Sequence, residues 1–240
     1  MRGGEEGWKE FKIGAVFTAA VHAAWEPTGD ERRNVVHACD IRHVAHIGGS
    51  EALGELVWAE AQRRGWEHAH ATLALGDGAP WIWNQTALHF GAGHQLVDWY
   101  HARHYLAAAG QALHGQNDAA RQRWLDSRET HRSQGLAACI AEELLQAARQ
   151  HPEQTAVLER KAGSFRERRQ RMNDLKMHEE GCPIASSMVE SGAKQRKARF
   201  CGTGMRWSRQ GAERLLPVRA AILSQRFDEL WTRVFNSPPN

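Results

Sequence analysis

Apolar positions follow two regimes along the chain. In the first hundred residues, short branched and aromatic runs alternate with helical spacing. The run FKIGAVFTAAV, residues 11 to 21, is rich in Val, Ile and Phe and predicts a strand. NVVHACD and HVAHIG are weaker strand or loop candidates. In SEALGELVWAEAQRRG, residues 50 to 65, Leu53, Leu56, Val57 and Ala61 recur at helical spacing between Ser50 and a terminating Gly65, which predicts a helix. A buried strand, ATLALG, then runs up to Asp77. A short helix is expected around WNQTALHF, and a second strand, QLVD, ends at Asp98. Strands that lead into helices make an α/β layout.

From Trp99 onward the spacing is helical. WYHARHYLAAAGQAL is one predicted helix, and residues 136 to 150 form another, stopped near Pro152. Residues 153 to 177 form a long charged helix, with Gly163 as the expected interruption. In CPIASSMVESGAKQRKARF, Pro183 suits the first turn of a helix. The last predicted helix, QGAERLLPVRAAILSQRFDELWTRVF, contains Pro217, where a kink is expected, and the tail NSPPN should fray. The expected organisation is an α/β core begun by residues 1–106, a helical insertion at 107–180, and C-terminal helices at 181–236 that complete the core.

Composition narrows the function. Charged residues make up 25% of the chain and the net charge is +3, as in a globular protein. No run of eighteen apolar residues predicts a membrane span, and the opening residues do not resemble a secretory signal. Cys39, Cys139, Cys182 and Cys201 have no CxxC spacing, so reduced thiols in the cytoplasm are expected. The histidine pairs HVAH, HAH and HARH lack a zinc-site pattern. The modest net charge conceals a gradient. Residues 159 to 171 carry six Lys or Arg against two Glu, and residues 194 to 209 carry six basic residues and no acid. Such clusters, together with a candidate carboxylate, point to a polyanion such as nucleic acid.

Phosphodiester chemistry commonly uses two divalent cations held by converging carboxylates. In an open α/β sheet the place for them is the carboxyl end of the strands. Asp77 sits at such an end. Glu190 is a second candidate, on a predicted helix whose face also carries Ser187, Lys194 and Lys197. If both bind one metal pair, their carboxylates should lie roughly 4–8 Å apart. Simpler readings exist for each. Asp77 in Gly-Asp-Gly suits a turn, and Ser187-x-x-Glu190 suits a capping box.

The strings LGDGAPWIWN, QLVDWYHARHYL and SSMVESGAKQRKARFCGTGMRWSRQGAERLLPVRAAILSQRFDELW resemble the bacterial insertion-sequence transposases of the ISKra-type group. The likeness extends from GWKEFKIGAVF to FDELW. It implies an RNase H-like fold, a mixed β-sheet with flanking helices, carrying an α-helical insertion and a DDE triad that binds Mg²⁺ or Mn²⁺. By the same likeness Asp77 matches the second aspartate and Glu190 the glutamate. Asp98 and His101 match a supporting signature between them. Lys194, Arg196, Lys197 and Arg199 are expected to neutralise DNA phosphates. Arg206 and Trp207 are either DNA contacts or structural residues. The implied partners are transposon ends and target DNA, with a homodimer in the synaptic complex.

The family's first aspartate lies in a strand just before GWKEFKIGAVF, and here no aspartate precedes Asp30. The chain is therefore expected to be truncated, with the first strand missing. Two further readings stay open: a catalytically dead DNA-binding or regulatory fragment, and an α/β metal-dependent hydrolase of small molecules.

Overall fold

The computed structural model describes residues 11–25, 32–91, 93–185 and 187–236, without the side chains of 22–25, 32–35, 187–190 and 196. Asp30, the opening residues GWKE and the tail after Asn236 lie outside the described residues, as do the side chains of Glu190 and Arg196.

Strand β1 (Phe11–Trp25) pairs antiparallel with β2 (Arg32–Ile47) over almost their whole length. The two weak candidates NVVHACD and HVAHIG are parts of this one long strand. A register shift between Val16 and Thr18 bends the hairpin, and Asp40 opposite it takes a positive φ of 49°. The guanidinium of Arg64 fills the bend. It donates to the carbonyls of Val16 and Asp40 and to the Thr18 hydroxyl, and so satisfies backbone groups that the bulge leaves unpaired.

Helix α1 (Ser50–Arg63) forms where its apolar spacing predicts, and Gly65 ends it with a φ of 71°. Strand β3 (Leu73–Gly76), helix α2 (Pro80–Phe90), strand β4 (His94–Val97) and helix α3 (Trp99–His114) follow in turn. β3 and β4 pair in parallel, with Gly76 opposite Val97. Among the described residues the strands make two separate pairs, β1–β2 and β3–β4. The fold class is α/β, dominated by helix.

Helices α4 (Asp118–Ser133), α5 (Ala137–Gln150), α6 (Thr155–Arg168) and α7 (Asp174–Glu179) form a helical block. The pattern of the sequence did not single out α4, because its surface is highly charged and its buried residues are few, Leu125 and Arg132. The expected interruption at Gly163 is absent, and α6 passes through it. The long charged segment breaks instead at residues 169–173, a 3₁₀ turn leading to Asn173, whose side chain caps α7. Helix α8 (Ser187–Phe200) starts four residues after Pro183, so that proline precedes the helix and does not open it. Helices α9 (Arg209–Leu223) and α10 (Phe227–Asn236) replace the single kinked helix expected at the end.

Among the described residues, three apolar clusters hold these elements. The largest joins Val97, Trp83, Ala102 and Leu106 to Ile140, Leu144, Leu158, Phe165 and Met172. The helical block thus shares its core with β4, α2 and α3. A second cluster packs Phe200, Ala212 and Leu216 under the hairpin residues Ala45 and Ile47. A third places Leu96 against Met177 and Cys182. No described helix is long and apolar enough to cross a membrane.

Candidate functional site

The parallel pairing decides where the site lies. Asp98 N–H donates to the Gly76 carbonyl at 2.7 Å, one register step beyond the last strand pair. Asp77 and Asp98 therefore stand side by side at the carboxyl ends of β3 and β4.

Their carboxylates do different work. Asp77 is exposed, and its Oδ1 accepts from Ala79 N–H at 2.8 Å, closing a local turn. Gly78 follows with a φ of +94°, and a Cβ there would lie 2.7 Å from Arg168 Nε. The backbone of this turn is clamped from the helices. Tyr105 Oη donates to the Asp77 carbonyl at 3.0 Å, and Arg168 Nε donates to the Gly78 carbonyl at 2.8 Å. Burial pushes the Tyr105 phenol up, with Arg168 pulling it down and Asp77 pushing it up.

Asp98 is fully buried. Its Oδ1 accepts from Tyr100 N–H at 2.9 Å and His101 N–H at 3.2 Å, so it caps α3. His101 meets Asp98 through its backbone N–H. The His101 ring is half-buried and meets the His104 ring edge-on at 6.1 Å.

Beneath Asp98 lies an ionic cluster that the sequence pattern did not reveal. Arg132 of α4, buried to 1% exposure, donates to an Asp174 carboxylate oxygen and, at 2.7 Å, to the Val97 carbonyl. Its guanidinium stacks 4.7 Å from the Trp99 ring. Burial pushes the Asp174 carboxyl up to about 7 against the pull of Arg132, with Asp98 adding to the rise. Burial likewise lowers Arg132, opposed by both aspartates. Arg132 Nε and Asp174 Oδ1 are buried without a hydrogen-bond partner. No local spacing links Arg132, Asp174 and Asp98, so only the fold could show them as a set. Arg168 and Lys161 had a visible signal, the basic run 159–171, but nothing in that run tied either one to Asp77.

The C-terminal candidates sit elsewhere. Lys194, Lys197 and Arg199 are exposed on α8, which packs against the hairpin through Phe200 and Phe11, with ring centroids 6.3 Å apart. Arg206 is exposed. Trp207 is half-buried, with its ring 5.5 Å from Phe200 at the edge of the second cluster. It therefore has a packing role, whatever else it contacts.

Among the described residues, no three His, Cys, Asp or Glu side chains converge as metal ligands. Asp77 offers an exposed hard oxygen of the right type, whereas Asp98 is committed to its cap. The expected approach of Asp77 to Glu190 falls outside the described residues. On the described residues alone the donor set is thus incomplete. Compared with protein-family models, with curated proteins and with solved structures, the chain matches none.

Proposed function

We propose that the chain is the catalytic domain of a DDE-type transposase, acting in DNA transposition by metal-dependent phosphodiester cleavage and strand transfer. The single observation that carries this reading is the register of β3 and β4. It puts an exposed aspartate, Asp77, next to a buried one, Asp98, at the carboxyl ends of two parallel strands, where open α/β sheets bind their ligands. The chemical roles follow from the two environments. Asp77 faces incoming substrate, and Asp98 fixes the start of α3 beside it. The RNase H-like assignment belongs to the same proposal. It is supported by the antiparallel pair β1–β2 together with the parallel pair β3–β4 and the helices that flank them.

Mg²⁺ or Mn²⁺ is the cofactor of this reading, with Asp77 and Glu190 as its ligands in this chain. When bound, such ions activate the attacking oxygen and stabilise the leaving one. The partners are transposon-end and target DNA, and a second copy of the chain in the synaptic complex. The exposed Lys194, Lys197 and Arg199 supply charge for the phosphate backbone, and Arg196 of the same helix is assigned with them.

A second reading, a catalytically dead DNA-binding or regulatory transposase fragment, shares every feature of the first except the activity. One experiment separates the two: Mg²⁺-dependent strand cleavage by this chain and by a version extended at its N-terminus with the family's first-aspartate strand. Cleavage by the extended form, lost on Asp77→Asn, is the result expected of the transposase domain. Salt-dependent DNA binding without cleavage in either form would favour the inactive fragment. No DNA binding at all would overturn both.

A further inference from the structure

The Asp77 turn carries four consecutive carbonyls, and each accepts a hydrogen bond. Gly76 O accepts from Asp98 N–H at 2.7 Å, Asp77 O from Tyr105 Oη at 3.0 Å, Gly78 O from Arg168 Nε at 2.8 Å and Ala79 O from Ile82 N–H at 3.1 Å. The first of these bonds extends the strand pair and the last opens α2. The middle two come from elements that the turn does not join. Tyr105 belongs to α3, 28 residues from Asp77, and Arg168 to α6, 90 residues from Gly78. A surface turn does not need such bonds, because water satisfies an exposed carbonyl, and fixing an arginine costs rotamer entropy.

Both donors are braced by α6. The Tyr105 ring meets the fully buried Phe165 edge-on at 6.1 Å, and Lys161 Nζ sits over it at 5.3 Å. The Arg168 side chain is 18% exposed, and its Nη1 reaches the Ser164 carbonyl one turn back at 3.3 Å. Glu167 approaches that same Nη1 at 3.5 Å and not the Nε that holds the turn. What the two donors fix is the aim of a carboxylate. A peptide unit is planar, so the Gly78 carbonyl and the Ala79 N–H move as one. Arg168 holds this unit by its oxygen, and the N–H of the same unit donates to Asp77 Oδ1 at 2.8 Å. Tyr105 holds the unit before it by the Asp77 carbonyl. A cationic donor on the carbonyl also polarises the unit and strengthens its N–H towards the carboxylate.

We propose that Arg168 and Tyr105 are positioning residues for Asp77, holding the two peptide units that follow its Cα so that the Ala79 N–H keeps its carboxylate aimed at a divalent cation. The proposal rests on the reading above that Asp77 is a metal ligand. It makes the helical block a working part of that site, although the block supplies no ligand of its own.

A Mn²⁺ titration of the whole chain, followed by amide NMR, tests it. Mn²⁺ alone is the probe, and paramagnetic loss of the amide signals of residues 76–79 reports its binding at the turn. The unaltered chain is expected to lose these signals in a saturable way, and Asp77→Asn to keep them. Tyr105→Phe removes only the hydroxyl and leaves the ring on Phe165. Arg168→Met removes the donor and keeps an unbranched stem. Each is expected to raise the Mn²⁺ midpoint about tenfold, as for residues that orient a metal ligand, and Arg168→Lys to restore part of the affinity. A lower denaturant midpoint with an unchanged Mn²⁺ midpoint in both variants would overturn the positioning role and leave the metal reading standing. Hydrogen exchange on the unaltered chain needs no variant to fold. The Ala79 amide is expected to be protected, and exchange at the rate of an unstructured amide would overturn the positioning role as well. No signal loss at 76–79 in the unaltered chain, or equal loss in Asp77→Asn, would overturn both.

Discussion

Replacing Asp174 by Asn removes one of the two buried carboxylates that face the Arg132 guanidinium. The carboxyl of Asp174 is held up to about 7 by burial, whereas an unfolded aspartate titrates near 4. The folded state therefore binds this proton more tightly than the unfolded state does. The contribution is fully present below about pH 4 and is lost as pH rises through about 7. Denaturant midpoints measured between pH 4 and 8 should show this downward slope in the unaltered protein and lack it in Asp174→Asn. Arg132→Met tests the other side of the cluster. It leaves two carboxylates buried without their cation, and an unfolding free energy lower by about 3–5 kcal/mol at neutral pH is expected from urea titration. The residues of this cluster were illegible in the sequence for a physical reason. Arg132 and Asp174 are 42 positions apart, and each looks locally like an ordinary helix-surface charge. Asp77 was legible, because a carboxylate that ends an apolar run and precedes Gly78 marks a strand end. Its clamp by Tyr105 and Arg168 was not legible, because backbone carbonyls leave no trace in side-chain pattern.

Helix ends show the same division between signals carried by residue type and signals carried by context. After α4 and α7 the chain closes with paired backbone bonds, Leu136 N–H to His131 O with Gly135 N–H to Arg132 O, and Cys182 N–H to Met177 O with Gly181 N–H to His178 O. Both are Schellman ends, with glycine at the left-handed position, φ 79° at Gly135 and 75° at Gly181. The end of α9 repeats the pattern, Arg226 N–H to Ala221 O and Gln225 N–H to Ile222 O, but Gln225 occupies the left-handed position at φ 55°. Without a glycine to mark it, this stop is unreadable in the sequence, where Pro217 predicts only a kink in one continuous helix. Pro217 is exposed, where a displaced carbonyl finds water, so the helix runs through it. Gln225→Gly should relieve the backbone strain and raise stability by about 1 kcal/mol, read as a higher denaturant midpoint with an unchanged slope. An unchanged midpoint would mean that Gln225 makes compensating contacts. The stop is held from outside as well. Arg42 donates to the Ser224 carbonyl, His43 N–H donates to the Ser224 hydroxyl at 2.8 Å, and Arg226 reaches the buried Glu60 at 3.2 Å. Long-range bonds of this kind fix where α9 ends, and local propensity does not report them.

Across the whole molecule, the alternation of strands and helices was legible up to Asp98, and the helical character of the remainder was legible too. The joining of the two was not. Periodicity shows which face of a helix is apolar but not which partner covers it. Here the apolar faces of α5 and α6 close over Val97, Ala102 and Leu106, so strand end and helical block share one interior. Phe165→Ala, at a fully buried position beside Tyr105, should lower stability by about 3–5 kcal/mol. Hydrogen exchange should then show lost protection at residues 76–79 as well as within α6. Loosening confined to α6 would contradict a shared core.

Arg168 on Gly78 and Arg132 on Val97 also set how the molecule comes apart. Arg132 spans from the helices to the last carbonyl of β4 and Arg168 to the turn just after β3, so neither side can open without breaking bonds to the other. A protease that nicks the exposed link Gln116–Asn117 between α3 and α4 should therefore leave two pieces that stay associated and melt in one transition. The helical block and the strand ends are thus expected to unfold as one cooperative unit, and the Asp77 turn should keep its shape only while that unit is intact.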